Sequence, residues 1–243
     1  MKKICLTFIL LSTMLFSQDN LAINTGWYAQ GKKLVQNILD PLFTRTNLTY
    51  TLQQLPPERA LRNANMGLDD GDAVRVFEIA DIFPHLRRVE EHFFTAAFSA
   101  FYINPSLSIK SLDDIKNKRV AIVNGTKIVQ KFVREKKFPA VVTTLSYEKA
   151  LLKLVNKDVD IIILNRRSAI SLVKKMHLED VIIEHKPPII MKKMYLYLHK
   201  KHEKLIPTLE KELKEMKRDG SYDAIIQEYL KSVPSDKGII DAL

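Results

Sequence analysis

The sequence predicts an α/β protein built as two lobes joined by two crossover strands. Three observations carry this expectation. Short apolar runs of strand length alternate with amphipathic helical stripes. The order β-α-β-α-β occurs twice. Two extended apolar segments flank the second unit, as a chain must have if it crosses to a second lobe and returns.

In the first unit, Leu21–Thr25 reads as a strand, and Lys33–Thr44 reads as a helix with Leu34, Ile38 and Leu42 on one face. Asn47–Gln54 alternates as a strand. Pro57–Met66 is a helix with proline tolerated in its first turn, and Asp70–Val76 is the next strand. The second unit begins with the strand Arg119–Val123. It continues through a helix over Thr126–Lys136, a strand over Ala140–Thr143 and a helix over Tyr147–Asn156. Asp160–Leu164 is an unbroken apolar strand of the kind found at the centre of a parallel sheet. A helix over Arg166–Met176 and a short strand over Asp180–Ile183 follow.

The units echo each other at one place. Glu58-Arg59-Ala60-Leu61 leads to Gly67 and Asp70; Glu148-Lys149-Ala150-Leu151 leads to Lys157 and Asp160. Each is an amphipathic helix, a tight turn and an aspartate that opens the next strand. Thr95–Ile103 and Lys193–Leu198 are the expected crossovers. Two final stripes, Leu205-Leu209-Leu213-Met216 and Tyr222-Ile225-Ile226-Tyr229-Leu230, are expected to be helices packed on the first lobe, with Gly220 as the stop between them.

The chain has 243 residues, a net charge of +10 and one cysteine, Cys5. Residues 1–17 pair a basic Lys2-Lys3 start with a short apolar run ending at Ser17, the pattern of a secretory signal peptide. The same run also suits an uncleaved anchor or a buried first helix. Cys5 lies at the wrong end of that run for lipid attachment. Without residues 1–17, 226 residues and a charge of +8 remain, with no cysteine for disulfides or thiol chemistry.

Several motifs then line up in order: Leu55-Pro56-Pro57-Glu58-Arg59-Ala60-Leu61, Asn65–Asp72, Ser111-Leu112-Asp113-Asp114-Ile115, Arg119–Val123 with Asn124-Gly125-Thr126, Asp160–Asn165, and Lys217–Tyr222. With them, from about Leu21 to Leu230, the chain resembles the extracellular solute-binding proteins of family 3, the substrate-binding components of amino-acid-type ABC importers, as a divergent member. The resemblance implies the type 2 periplasmic-binding fold. Lobe 1 would be residues 18–98 and 196–243, and lobe 2 residues 99–195. A cleft between them closes on ligand.

The expected ligand contacts are Trp27, Tyr28, Arg59, Arg75, Gly125, Thr126 and Asn165. Gly125 and Thr126 stand at a strand-to-helix turn, where free amides and the helix dipole suit an anion. In the resembled family the matching Gly-Thr contacts the ligand carboxylate; a plain turn capped by Thr126 needs the same residues. Arg75 ends a strand on the side where such lobes bind ligand, and its guanidinium suits a carboxylate. The Thr-x-x-Arg stretch of the usual amino-acid binders is absent. If Arg75 is a cleft residue, Arg75→Ala is expected to weaken binding and leave unliganded stability nearly unchanged. Asn165 stands where those binders carry an aspartate for the ligand ammonium, so a neutral or anionic solute is favoured. Trp27 and Tyr28 suit cleft aromatics or rim residues. Arg59 suits the cleft or the open surface. The short stretch Gly26–Lys33 suggests a shallower cleft than in relatives.

Catalysis is not expected: the six histidines are scattered, and nucleophile elbow and Walker loop patterns are missing. A dehydratase-like activity is the remote alternative. No metal, cofactor or nucleic-acid partner is expected. The expectation is an exported, periplasmic, monomeric protein that captures a small polar or anionic solute for an ABC permease. The alternatives are a ligand-sensing module for a membrane receptor and a degenerate paralogue without ligand.

Overall fold

The computed structural model describes residues 20–107, 109 and 112–232; the expected signal peptide at 1–17 lies outside them. The first lobe opens with β1 (Asn20–Thr25), α1 (Ala29–Arg45), β2 (Thr49–Gln54), α2 (Pro57–Met66) and β3 (Gly71–Arg75), then a one-turn helix α3 (Ile79–Ile82) and a short strand β4 (Leu86–Arg88). The chain crosses along β5 (Phe94–Tyr102). The second lobe holds α4 (Leu112–Lys116), β6 (Val120–Val123), α5 (Lys127–Glu135), β7 (Val141–Thr144), α6 (Tyr147–Val155), β8 (Ile161–Asn165), α7 (Arg166–Lys175) and β9 (Ile183–Glu184). The chain returns along β10 (Ile190–His199), passes a 3-10 turn at Lys200–Leu205, and ends in α8 (Ile206–Arg218) and α9 (Ser221–Ser232), both packed on α1.

The strand order is β2-β1-β3-β10-β5-β8-β6-β7, with β4 on β10 and β9 on β5. β1, β2 and β3 are parallel, as are β6, β7 and β8. β10 runs antiparallel to β3, β5 runs antiparallel to β8, and the two crossovers are antiparallel to each other. β10 pairs with β5 over Ile190–Met194 and with β3 and β4 from Tyr195 onward. β5 pairs with β10 up to Phe98 and with β8 from Phe98 to Phe101. Each crossover therefore changes partner in mid-strand, and the two-lobe reading rests on that pairing.

The sequence echo has a common structural cause. In one lobe the Asp70 amide donates to the Ala22 carbonyl at 2.8 Å, and the Asp70 carboxylate accepts from the Ala22 amide at 2.8 Å. In the other, the Asp160 amide donates to the Arg119 carbonyl at 2.8 Å and its carboxylate accepts from the Arg119 amide at 2.9 Å. Each aspartate fixes the register of two parallel strands at their start. Each turn before it uses a left-handed residue, Gly67 at φ 76° and Lys157 at φ 61°.

Sequence patterning missed α3 and β4, which are too short to show a period. It also placed the first helix too late. α1 begins at Ala29, so the loop after β1 is only Gly26–Tyr28. Glycine is a poor helix former, yet the Gly31 amide donates to the Tyr28 carbonyl at 2.8 Å. A Cβ on Gly31 would lie 3.0 Å from both the Trp27 ring and Ser168 Oγ, so close packing selects glycine here.

The main core runs from α1 and β1 through Trp27, Phe94 and Phe98 to Ile122 and Val129. A second cluster, including Tyr147, Leu151, Ile162 and Leu172, lies between the second lobe's sheet and the helices α6 and α7.

Candidate functional site

The carboxyl ends of β1, β3 and β6 meet where the lobes face each other. Trp27 follows β1, is 6% exposed, and packs its ring 5.3 Å from Phe94 at the start of the first crossover. β3 delivers Arg75, which is buried. Its Nη2 pairs with Asp72 Oδ2 at 2.7 Å and donates to the Pro57 carbonyl at 3.0 Å. Between them Val74 adopts φ 75°, a left-handed conformation that is strained for a β-branched residue. The register of β3 against β10 shifts at that point. The strained residue is thus part of the bend that carries Arg75 into the interface.

Asp72 is wholly buried. Burial pushes its carboxyl up to about 6 against the opposing pull of Arg75. Arg75 is therefore a structural partner of Asp72 as well as a wall of the cavity described below. Its removal is expected to cost stability, where the sequence suggested little change, because a buried carboxylate would lose its counter-ion.

From the second lobe, β6 ends in the turn Asn124-Gly125-Thr126 that starts α5. Gly125 has φ 79°, and a Cβ there would sit 2.1 Å from the Glu58 nitrogen and 2.6 Å from the Pro57 carbonyl carbon. The turn thus lies directly on the first turn of α2. The Thr126 side chain makes no capping bond to α5. Beside it, Lys127 Nζ pairs with Glu58 Oε2 at 2.7 Å across the lobes. Burial alone would raise the Glu58 carboxyl, but Lys127 and Arg62 outweigh it and hold it below its ordinary range.

These parts enclose a small cavity. Trp27, Arg75, Gly125 and Thr126 line it, together with Phe98, Tyr147 and Met194. Its volume is about 30 Å³. That is room for about one or two water molecules. Tyr147 opens α6 and is fully buried, and burial pushes its phenol upward. Nothing in the sequence places Tyr147 at the cavity wall or Asp72 behind Arg75; tertiary packing does.

The other three candidates lie elsewhere. Tyr28 bridges the lobes: its amide donates to Ser168 Oγ at 3.1 Å and its ring lies 6.1 Å from Tyr147. Arg59 is exposed and lines an outer groove with Met66 and Leu145. Asn165 is fully buried and caps α7, its Oδ1 accepting from the Ser168 amide at 3.0 Å. Among the described residues, no group of three or more His, Cys, Asp or Glu could hold a metal ion, and no helix is long and apolar enough to cross a membrane.

No family model and no curated protein matches this chain. Solved structures do. An ancestral arginine-binding protein bound to glutamine superposes with a TM-score of 0.72 at 17% identity, covering 86% of this chain and 97% of that one. The arginine-, lysine-, histidine-binding protein ArtJ from Geobacillus stearothermophilus gives 0.70 at 18%, covering 88% and 96%. A histidine kinase sensor domain with similarity to periplasmic binding proteins gives 0.72 at 12%, covering 87% and 96%. At these identities the likeness establishes architecture: the chain has the periplasmic-binding-protein fold, two α/β lobes joined by two crossover strands.

Proposed function

We propose that the protein is an exported solute-binding protein that captures a small carboxylate between its lobes. The observation that carries this reading is the cavity where Arg75 of one lobe faces the Gly125–Thr126 turn of the other. Residues 18–98 with 196–243 form one lobe in this reading, and 99–195 the other. The partner exchange of β5 at Phe98 and of β10 after Met194 supports those bounds.

Capture requires opening, because about 30 Å³ admits no solute larger than a few atoms. An entering carboxylate would take the place of the Pro57 carbonyl on Arg75 and accept from the amides at the start of α5. Closure then follows because only the closed state makes both contacts. Arg75 remains paired with Asp72, so the pocket offers no free carboxylate to a ligand ammonium. The leader-like residues 1–17 support a periplasmic location. Relatives in fold include both amino-acid binders and a sensor domain, so the membrane partner is an ABC permease or a receptor.

The tight cavity favours one second reading: a module that stays shut without ligand. A thermal-shift panel of small carboxylates separates the two. A true ligand at a hundredfold excess over Kd adds about 2.7 kcal/mol of stability. A panel in which no carboxylate shifts the melt supports the shut module.

A further inference from the structure

A second groove lies at the mouth of the closed interface, with a volume of about 340 Å³. That is within the range of small-molecule sites, roughly 300–1,000 Å³. One wall, from the first lobe, is aliphatic: Ile82 is 56% exposed, and the largely buried Val76 and Ile79 lie behind it. The other wall is α5, which contributes Ile128 and a row of cations, Lys127, Lys131 and Arg134. Their spacing of four and then three residues sets them on one face.

The charge is not balanced. Lys127 is held by Glu58 at 2.7 Å, and Glu78, the groove's acid, is drawn to Lys192 at 3.9 Å. Among the described residues, the ion-pair partner of Lys131 is the exposed Glu135 at 3.9 Å. Arg134 is exposed and has no ion-pair partner among the described residues. An aliphatic floor beside uncompensated cations suits a molecule with an apolar body and an anionic head.

We propose that this groove binds an aliphatic carboxylate, with its chain on Ile82 and its head on Lys131 and Arg134. The groove adjoins the central cavity and shares Val76, Ile79, Lys127 and Ile128 with it, but the cavity itself is far too small for such a chain. The groove's walls belong to different lobes, so an occupant holds them together and stabilises the closed state.

Calorimetric titration of the full-length protein with octanoate, below its micellar concentration, tests this. Octanoate should bind at submillimolar Kd, with octanol at least about tenfold weaker. The double variant Lys131→Gln/Arg134→Gln removes two charges from the outer face of α5 without placing acids at its C-terminus, and should stay close to the wild-type melting temperature. It should weaken octanoate by about tenfold or more, and Ile82→Asn should weaken it similarly. Equal binding by the double variant, equal binding of octanol, or no heat from millimolar octanoate overturns the proposal. Propionate separates the sites: octanoate bound and lost in the double variant while propionate gives no heat means the groove stands and the central-cavity reading fails. Propionate bound with octanoate unaffected by the double variant means the reverse.

Discussion

Gly125→Ala should hold the two lobes apart. The three nearest neighbours of the added methyl carbon, at 2.1, 2.5 and 2.6 Å, are backbone atoms of Pro57 and Glu58, so no side chain can rotate out of the way. Moving from 2.1 Å to the 3.4 Å of ordinary contact requires an opening of about 1.3 Å at that point. The same shift takes the 2.7 Å Lys127–Glu58 pair to the limit of ion-pair distance. A left-handed alanine also costs about 1–2 kcal/mol by itself. Gly220→Ala supplies the control: Gly220 has φ 80° but nothing within 4 Å of its would-be Cβ. Gly220→Ala should lose about 1–2 kcal/mol in urea melts, and Gly125→Ala at least that much. Only Gly125→Ala should raise the radius of gyration in small-angle scattering and red-shift the emission of Trp27, the single tryptophan, as its buried ring meets water. If Gly125→Ala scatters and emits like Gly220→Ala, the lobe contact at Gly125 is not as described.

Other perturbations follow from the same geometry. Arg75→Ala strips the buried Asp72 of its counter-ion and should cost about 3–5 kcal/mol at pH 8, with Asp72→Asn partly rescuing it; a loss below about 1 kcal/mol would show the pair to be dispensable. The Asp72 carboxyl, at about 6 in the fold against 3.8 unfolded, keeps its proton longer in the native state. Its contribution to stability therefore falls as pH rises from about 4 to about 6. The wild-type stability minus that of Asp72→Asn should drop by up to about 3 kcal/mol across that window in denaturant melts, and a rise would refute the sign. Asn165→Ala removes the α7 cap and should cost about 0.5–2 kcal/mol, read by thermal melting, while carboxylate affinity holds. A large affinity loss without a stability loss would instead make Asn165 a ligand contact.

The fold was legible because its determinants are local and repeated. The apolar runs of β6 and β8, the stripes of α2 and α6, and the paired aspartates Asp70 and Asp160 all follow from period and turn chemistry. What escaped was short or set by packing: α3 and β4 have too few residues for a period, and Gly31 enters α1 because of Trp27 and Ser168. The site was legible only in part. Trp27, Arg75, Gly125 and Thr126 converge because strand ends converge in such lobes. Asn165 follows a strand end too, yet its amide caps the next helix, and spacing cannot tell these roles apart. Asp72 looks like an ordinary strand residue until its burial against Arg75 is seen, and Tyr147 like an ordinary helix residue until the lobes are brought together.

The central claim is that the interface holds an anion between Arg75 and the Gly125–Thr126 turn. Titrating the protein calorimetrically with a matched pair, propionate and propionamide, tests it most directly. The carboxylate should give saturable heat and the neutral amide none at equal concentration. Heat from the amide alone, or from neither, would contradict the claim.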